Sequence, residues 1–562
     1  MRRLVLGILF ALFLTFSVHP INAADADSKL QEARRLLTGD HKNTDAAKKL
    51  LSAIVQDPDA AHRPESLFWA YVYLGYIEDR AKDRDNAIAW YQKAAAVDGV
   101  APGAKDVSAF GLKQPLVWIR HLDSDTARAE MEAAEPRKPP AQPNRGGTAY
   151  IAKDPPDLAL AANLSAKERR ENFEALWSII DVSYADFQLK SIDWQQVGRR
   201  YLARLNSITT DDDFYLLMFQ LVNELKDTHS WLNNYHPPAL ETVRDMPIDL
   251  FEDRPFVIAG DKAGWEVLAV EGMTVPEKIE SLRPLLHARS SERRFRREAA
   301  QKLLAGNTSE PVSVKMRSPQ GQTETLTLQR GGRPISTPSP QISIMLTKQK
   351  YVDFGRYPSG LGYIHIRSFD GREDITREFD HAMDSLRDTS GLLLDIRDNS
   401  GGFGHDEIVG RFLHKDTFVG YSYTRNGTKH DQFERMKDYI QPRKWEYTQP
   451  VALLVSDATG SAADLFTRGM RAAPRVTTIG TTTHGNLSGK AVYAVLPCGL
   501  VVRISNGYLS DTKDRSIEVN GNVPDIIVGT SIQDYLHGRD PVLERASDVL
   551  LTGAQDGLQG TH

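Results

Sequence analysis

Ser461 stands where an apolar strand runs into a helix. Val451-Ala-Leu-Leu-Val455 is apolar throughout, Ser456-Asp-Ala-Thr-Gly460 makes a tight turn, and Ala462-Ala-Asp-Leu-Phe466 opens a helix. A serine at that bend is exposed at the sheet edge. The helix N-terminus and the Ala462 amide then face any oxygen that gains charge as an acyl carbon is attacked. The chemistry this permits is nucleophilic acyl transfer. Serine is also a preferred helix N-cap, and on local sequence both readings stand. The second piece is Leu392-Leu-Leu-Asp395-Ile-Arg397-Asp398-Asn399-Ser400-Gly401-Gly402. Here a strand ends in a loop whose two glycines let backbone amides turn into a cleft, which suits the other half of an oxyanion hole. An ordinary strand-end turn is the alternative.

The elements that must hold these pieces are legible around them. From Tyr351 onward short apolar runs alternate with helical segments, which predicts an α/β core with a mostly parallel sheet. Upstream, Phe173, Leu176, Trp177, Ile180 and Tyr184 recur at helical spacing. Thr210 is a good N-cap with Asp211, Asp212 and Asp213 at the positive end of the next helix. That helix, through Phe214, Leu217, Leu221 and Leu225, delivers the chain to Lys226-Asp227-Thr228-His229. Residues 240–345 read as a small mixed domain. It holds two short strands and a turn at 264–272, a charged helix at 290–304, and a hairpin around Pro319-Gln-Gly321.

The chain has 562 residues, 41% hydrophobic and 25% charged, with a net charge of -5. This is globular composition, and it lacks the basic field that nucleic acid requires. The single cysteine, Cys498, excludes an intrachain disulfide and a cysteine metal cluster. Met1-Arg2-Arg3, the apolar run from Leu4 to Val18 and the small residues Ala23-Ala24 predict a cleaved signal peptide, hence a periplasmic or secreted protein. The apolar run is shorter than the roughly 20 residues that span a bilayer, so no transmembrane span is expected in the mature chain. Residues 24–100 read as helical repeats. Leu74-Gly75 lets two helices approach, and Ala87, Tyr91 and Ala94 form one stripe. Ala46, Leu50, Ala53 and Asp57 form a fainter copy 41 residues earlier. Residues 101–160 read as a Pro/Gly-rich linker with one short helix at 125–134.

The order of these motifs, followed by Thr481-Thr-Thr-His-Gly485 and Val523-Pro524-Asp525-Ile526, resembles the C-terminal processing peptidases, a superfamily of serine peptidases. It is most similar to their branch containing the tricorn core and the interphotoreceptor-retinol-binding-protein-like modules. The N-terminal repeats resemble tetratricopeptide units. The resemblance covers roughly residues 165–550 and implies a multidomain chain. Its expected parts are a signal peptide (1–23), an all-α tetratricopeptide-like region (24–100), the linker (101–160) and a helical N-terminal subdomain of the peptidase (161–240). A PDZ-like α+β domain (241–345), an α/β crotonase/ClpP-like core (346–550) and a tail (551–562) follow.

The tail-processing branch carries a lysine base 25 positions after its nucleophile, in a Thr-Phe-Gly-Lys-Gly segment. Here that position is Asn486, within Thr483-His484-Gly485-Asn486-Leu487, and Lys490 falls elsewhere in the motif. The tricorn-like branch implies a triad of Ser461, His229 and Glu518. Gly401, Gly402 and Ala462 would form the oxyanion hole, and Thr228 and Asn399 would support, with Thr228 relaying a hydrogen bond between His229 and Glu518. His484 and His405 are the rival bases. The implied function is hydrolysis of protein or peptide substrates with no cofactor and no metal; a protein partner on the repeats and an oligomer are compatible with it. The alternatives on the same fold are a non-catalytic retinoid- or lipid-like binding module and an envelope scaffold.

Overall fold

The computed structural model describes residues 23–38, 44–81, 83–100, 104–113, 115–116, 141–238, 240–306, 310–337, 342–371, 373–403, 405–443 and 445–559. All but the last residue of the leader expected at 1–23, and the helix expected at 125–134, lie outside the described residues. The chain forms two compact units, 1–139 and 140–562.

The first unit is helical: Ala23–Thr38, Thr44–Val55, Pro64–Arg80, Arg84–Ala95 and Ala104–Lys113. Helix Arg84–Ala95 buries Ala87, Tyr91 and Ala94, as their spacing predicts. The copy in Thr44–Val55 buries Ala47, Leu51 and Ile54 instead of Ala46, Leu50 and Ala53. The repeat is therefore offset by 40 residues rather than 41, because helical register is set by which face reaches the core. The stretch read as a linker contributes helix Ala104–Lys113, whose Val107 and Phe110 join the same core. The Tyr91 ring lies between two glycines. A Cβ added to Gly75 would meet the ring at 2.3 Å, and one added to Gly111 would meet the opposite side at 2.8 Å. The Tyr91 hydroxyl donates to buried Asp79 at 2.8 Å, which leaves the ring no room to retreat. Gly75→Ala is thus expected to destabilise this unit by about 1–3 kcal/mol, the usual cost of overpacking. Chemical denaturation of the full chain, followed by a probe in this unit, checks it.

In the second unit, helices Ala166–Ser183, Trp194–Leu205 and Asp211–Asn223 pack on a four-stranded sheet ordered Tyr150–Ala152, Ala491–Val495, Val501–Ser505, Trp231–Leu232. The first strand also comes from the stretch read as a linker. Ser165 starts the first helix with a capping box to Glu168. Thr210 caps the third through the Asp213 amide at 3.1 Å. The mixed region around 248–328 is a six-stranded sheet covered by helices Val275–Leu282 and Glu292–Gln301. Its 264–272 stretch is one strand, Glu266–Val270, which turns at Glu271 and Gly272 into Met273–Thr274.

A seven-stranded sheet carries the centre of this unit. Gly362–Ile366, Leu392–Asp395, Val451–Val455 and Val476–Gly480 are neighbours in parallel pairs. Both faces are covered, which is why Leu392, Leu393 and Leu394 and the whole of Val451–Val455 are apolar. Leu392, Leu394, Val451, Leu453 and Val455 point into one core. Leu393, Ala452 and Leu454 point into another, under helix Pro541–Gln559. That helix continues through much of the segment read as a tail. Asp395 pairs in register with Leu454, so the loops after the two strands emerge side by side at the carboxyl edge of the sheet. This is where open α/β sheets place their ligands. Among the described residues, no helix is long and apolar enough to cross a membrane.

Candidate active site

Ser461 precedes helix Ala462–Met470 with φ 55° and ψ −120°, a backbone conformation costly for any residue but glycine. Such strain persists only where the surroundings impose it, and several groups do so here. The Ser461 amide donates to Asn486 Oδ1 at 2.6 Å and to Asp464 Oδ2 at 3.1 Å. Asp464 is fully buried and also accepts from Thr483, while burial raises its pKa to about 7. The backbone therefore holds the turn, and the serine side chain makes no cap hydrogen bond. Its hydroxyl lies 3.2 Å from His229 Nε2.

The neighbouring loop packs directly on this turn. A Cβ on Gly401 would meet Ser461 Cβ at 2.7 Å, and Gly401 and Gly402 adopt φ 117° and 130°. Asn399, fully buried, links the strand ends. Its Nδ2 donates to Ile366 O at 3.1 Å, its Oδ1 accepts from the Gly401 amide at 2.9 Å, and its carbonyl accepts from the Gly460 amide at 3.1 Å. The Gly401 amide is thereby engaged and does not serve as an oxyanion donor. The amides of Gly402 and Ala462 have no partner among the described residues. Arg397 anchors the loop's start through Asp395 and Asp540.

His229 is brought across by strand Trp231–Leu232, which pairs with Val501–Ser505. Arg503 lies over the Trp231 ring and donates to the His229 carbonyl. Burial lowers the His229 pKa to about 4, with Asp227 acting in the opposite sense and Arg503 adding to the depression. The imidazole is therefore neutral near pH 7, and an Nε2 that accepts the serine proton leaves the proton on Nδ1. His405 bonds its own neighbour Asp406 at 3.1 Å. His484 packs against Gly460, and burial together with nearby arginines lowers its pKa to about 2. Lys490 is exposed. Of these side chains, His229 is the one on the Ser461 hydroxyl.

Glu518 does not meet His229. It is fully buried, accepting from Lys190 Nζ at 2.7 Å and the Leu487 amide at 2.6 Å, and it bonds Ser290. Nor does Thr228 reach Glu518 directly: its Oγ1 accepts from the Ser290 amide at 3.0 Å and lies 3.3 Å from the Ser290 hydroxyl. Ser290, on the loop before helix Glu292–Gln301, fills the space the direct relay requires. The carboxylate in the histidine's own turn is Asp227. It accepts from the His229 amide at 2.8 Å and from Ser230 at 2.7 Å. Burial works to raise its pKa, but Lys190 and His229 hold it below the usual range. Asp227, Lys190 and Ser290 were missed from sequence. Asp227 had a signal, its place two residues before His229; Lys190 and Ser290 had none.

Residues 360–528 match peptidase family S41, and residues 165–223 match the tricorn protease C1 domain. Tricorn protease homolog 1 of Streptomyces coelicolor is 22% identical over 418 residues, 70% of this chain and 36% of that protein. The chain thus spans little more than a third of that relative's length. The carboxyl-terminal-processing protease of Synechocystis is 20% identical over 428 residues, 74% of this chain and 91% of that protein. The solved structure of mature CPAF shares the fold with a TM-score of 0.57 at 14% identity, covering 68% of this chain and 96% of that one. The chain thus carries a peptidase family S41 domain at 360–528, with a tricorn protease C1 domain ahead of it at 165–223.

Proposed function

We propose that the protein is a serine peptidase that cleaves proteins or peptides through an acyl-enzyme on Ser461. The observation that carries this is the 3.2 Å approach of His229 Nε2 to the hydroxyl of a serine in a strained turn at a helix N-terminus. Ser461 Oγ attacks the scissile carbonyl as its proton passes to Nε2. The amides of Gly402 and Ala462 receive the oxyanion, and the imidazolium returns its proton to the leaving amine. Water then repeats the sequence and frees the acid. Asp227 supports the imidazolium electrostatically. Glu518 acts at one remove, fixing Ser290 and through it Thr228. We further propose that the leader directs the chain to the periplasm or outside the cell, that the helical repeats hold a partner, and that the region 241–345 is a PDZ-like domain that engages substrate.

The test is cleavage of a mixture of unfolded proteins and peptides, read by mass spectrometry, with Ser461→Ala and His229→Ala alongside. Products from the native chain that vanish in both variants support the reading. An inert native chain, or an active Ser461→Ala, overturns it. The acid limb of kcat/KM follows from the histidine's burial. His229 must be neutral to accept the proton, so activity is lost as pH falls through its pKa. Half-loss is expected near pH 4, below the value of about 6.5 for an open imidazole. A pH profile with an acid limb at 6.5 or above contradicts the neutral, buried base.

A further inference from the structure

Helix Glu292–Gln301 lies along the side of the site formed by His484. Arg297 ties it to Asp249 at 2.8 Å and to Asp457, in the nucleophile's own turn, at 2.5 Å. Arg293 Nη2 donates to the Thr483 carbonyl at 2.5 Å and lies 3.5 Å from that of His484. This is the segment whose Asn486 holds the Ser461 amide. Arg293 is exposed, and its Nε and Nη1 have no partner among the described residues. Arg294, half-buried, has no carboxylate partner among them either.

Asp457 and Asp464 act on Arg293 through space, but the nearby acids make their bonds to other groups. Asp457 is with Arg297, Glu298 is with Arg289 at 2.5 Å, and Glu292 is with Arg283 at 2.8 Å. Asp464 is sealed beneath the turn. Between the helix and Ser461 lies His484, 6% exposed, whose Nε2 is buried without a partner. Arg294, Arg289 and Arg293 all act to keep that ring neutral. The wall beside the nucleophile therefore carries two guanidinium groups with no bonded carboxylate among the described residues, and their forks suit a planar carboxylate.

We propose that Arg293 and Arg294 form an anion subsite beside Ser461 that recognises a carboxylate of the peptide substrate. This rests on the peptidase reading of the site. The carboxylate comes either from an acidic side chain near the scissile bond or from the free C-terminus, and the chemistry recognised is the same.

Two matched peptide series separate the sources. One compares Asp or Glu near the cleavage point with Asn or Gln; the other compares a free C-terminus with a C-terminal amide. In the native full chain, the carboxylate member of one series is expected to be cleaved with kcat/KM at least about tenfold higher, mainly through KM, and the advantage shrinks with added salt. The ratio should fall towards one in the Arg293→Gln/Arg294→Gln variant and be partly kept in Arg293→Lys/Arg294→Lys. Because Arg293 also holds the 483–484 segment, binding of the uncut peptides to Ser461→Ala chains, with and without the glutamine changes, gives a readout independent of turnover. Equal cleavage and equal binding within both series overturn the subsite, as does a preference that survives the glutamine changes. A native chain that cuts nothing while its Ser461→Ala form still prefers carboxylate peptides through these arginines sinks the peptidase reading and leaves the subsite standing.

Discussion

Ser461→Ala is expected to lower kcat/KM for peptide hydrolysis by roughly 10⁴- to 10⁶-fold, the range found when the nucleophile of a serine triad is removed. The fold should survive, because the turn is held by the Ser461 amide on Asn486 and Asp464 rather than by the hydroxyl. A residual rate above water should remain from the Gly402 and Ala462 amides. His229→Ala should cost nearly as much, and the double variant little more than either single one, because the two groups act as a unit. A steady-state assay on a cleaved peptide, with intact-mass detection of the acyl-enzyme in the native chain alone, checks this. A loss below about tenfold would point to another nucleophile.

Lys190→Met is expected to cost about 3–5 kcal/mol of stability, the usual price of leaving a buried charge without its partner. The Lys190 side chain is 2% exposed and donates to Glu518, Tyr184 and the Lys226 carbonyl. Three buried carboxyl groups feel its charge: Glu518, Asp227 and Asp186. Burial raises the pKa of Glu518 and Asp186 even with the lysine present. Without it their folded-state pKa values rise further, so the folded chain binds more protons than the unfolded one. The defect should therefore be larger at pH 8 than at pH 5. Adding Glu518→Gln should recover part of the loss. Urea unfolding of both variants at the two pH values decides it, and a defect that grows on acidification contradicts the assignment.

Much of this site was legible because its pieces are local. Ser461 and the 399–402 loop each lie at the end of an apolar strand, and the parallel pairing of those strands sets the two loops side by side. Local pattern could not decide between cap and nucleophile for Ser461; that difference lies in where the hydroxyl points and in a positive φ imposed from outside. Glu518 was placed on His229 by resemblance, but its partner here is Lys190, 328 positions away in the chain and marked by no spacing. The repeat offset failed by one residue because alanines flank both faces of helix Thr44–Val55, and only packing reveals which are buried.

Strand Trp231–Leu232 has a consequence for how this catalyst can be divided. On the proposed mechanism, the family domain at 360–528 contains Ser461 and the oxyanion amides, while the base, His229, enters just ahead of strand Trp231–Leu232, which pairs with Val501–Ser505. Sequence signature and catalytic competence are therefore not coextensive. A gene fragment trimmed to the signature would inherit a nucleophile with nothing to deprotonate it, and an exposed strand edge where the missing segment had paired.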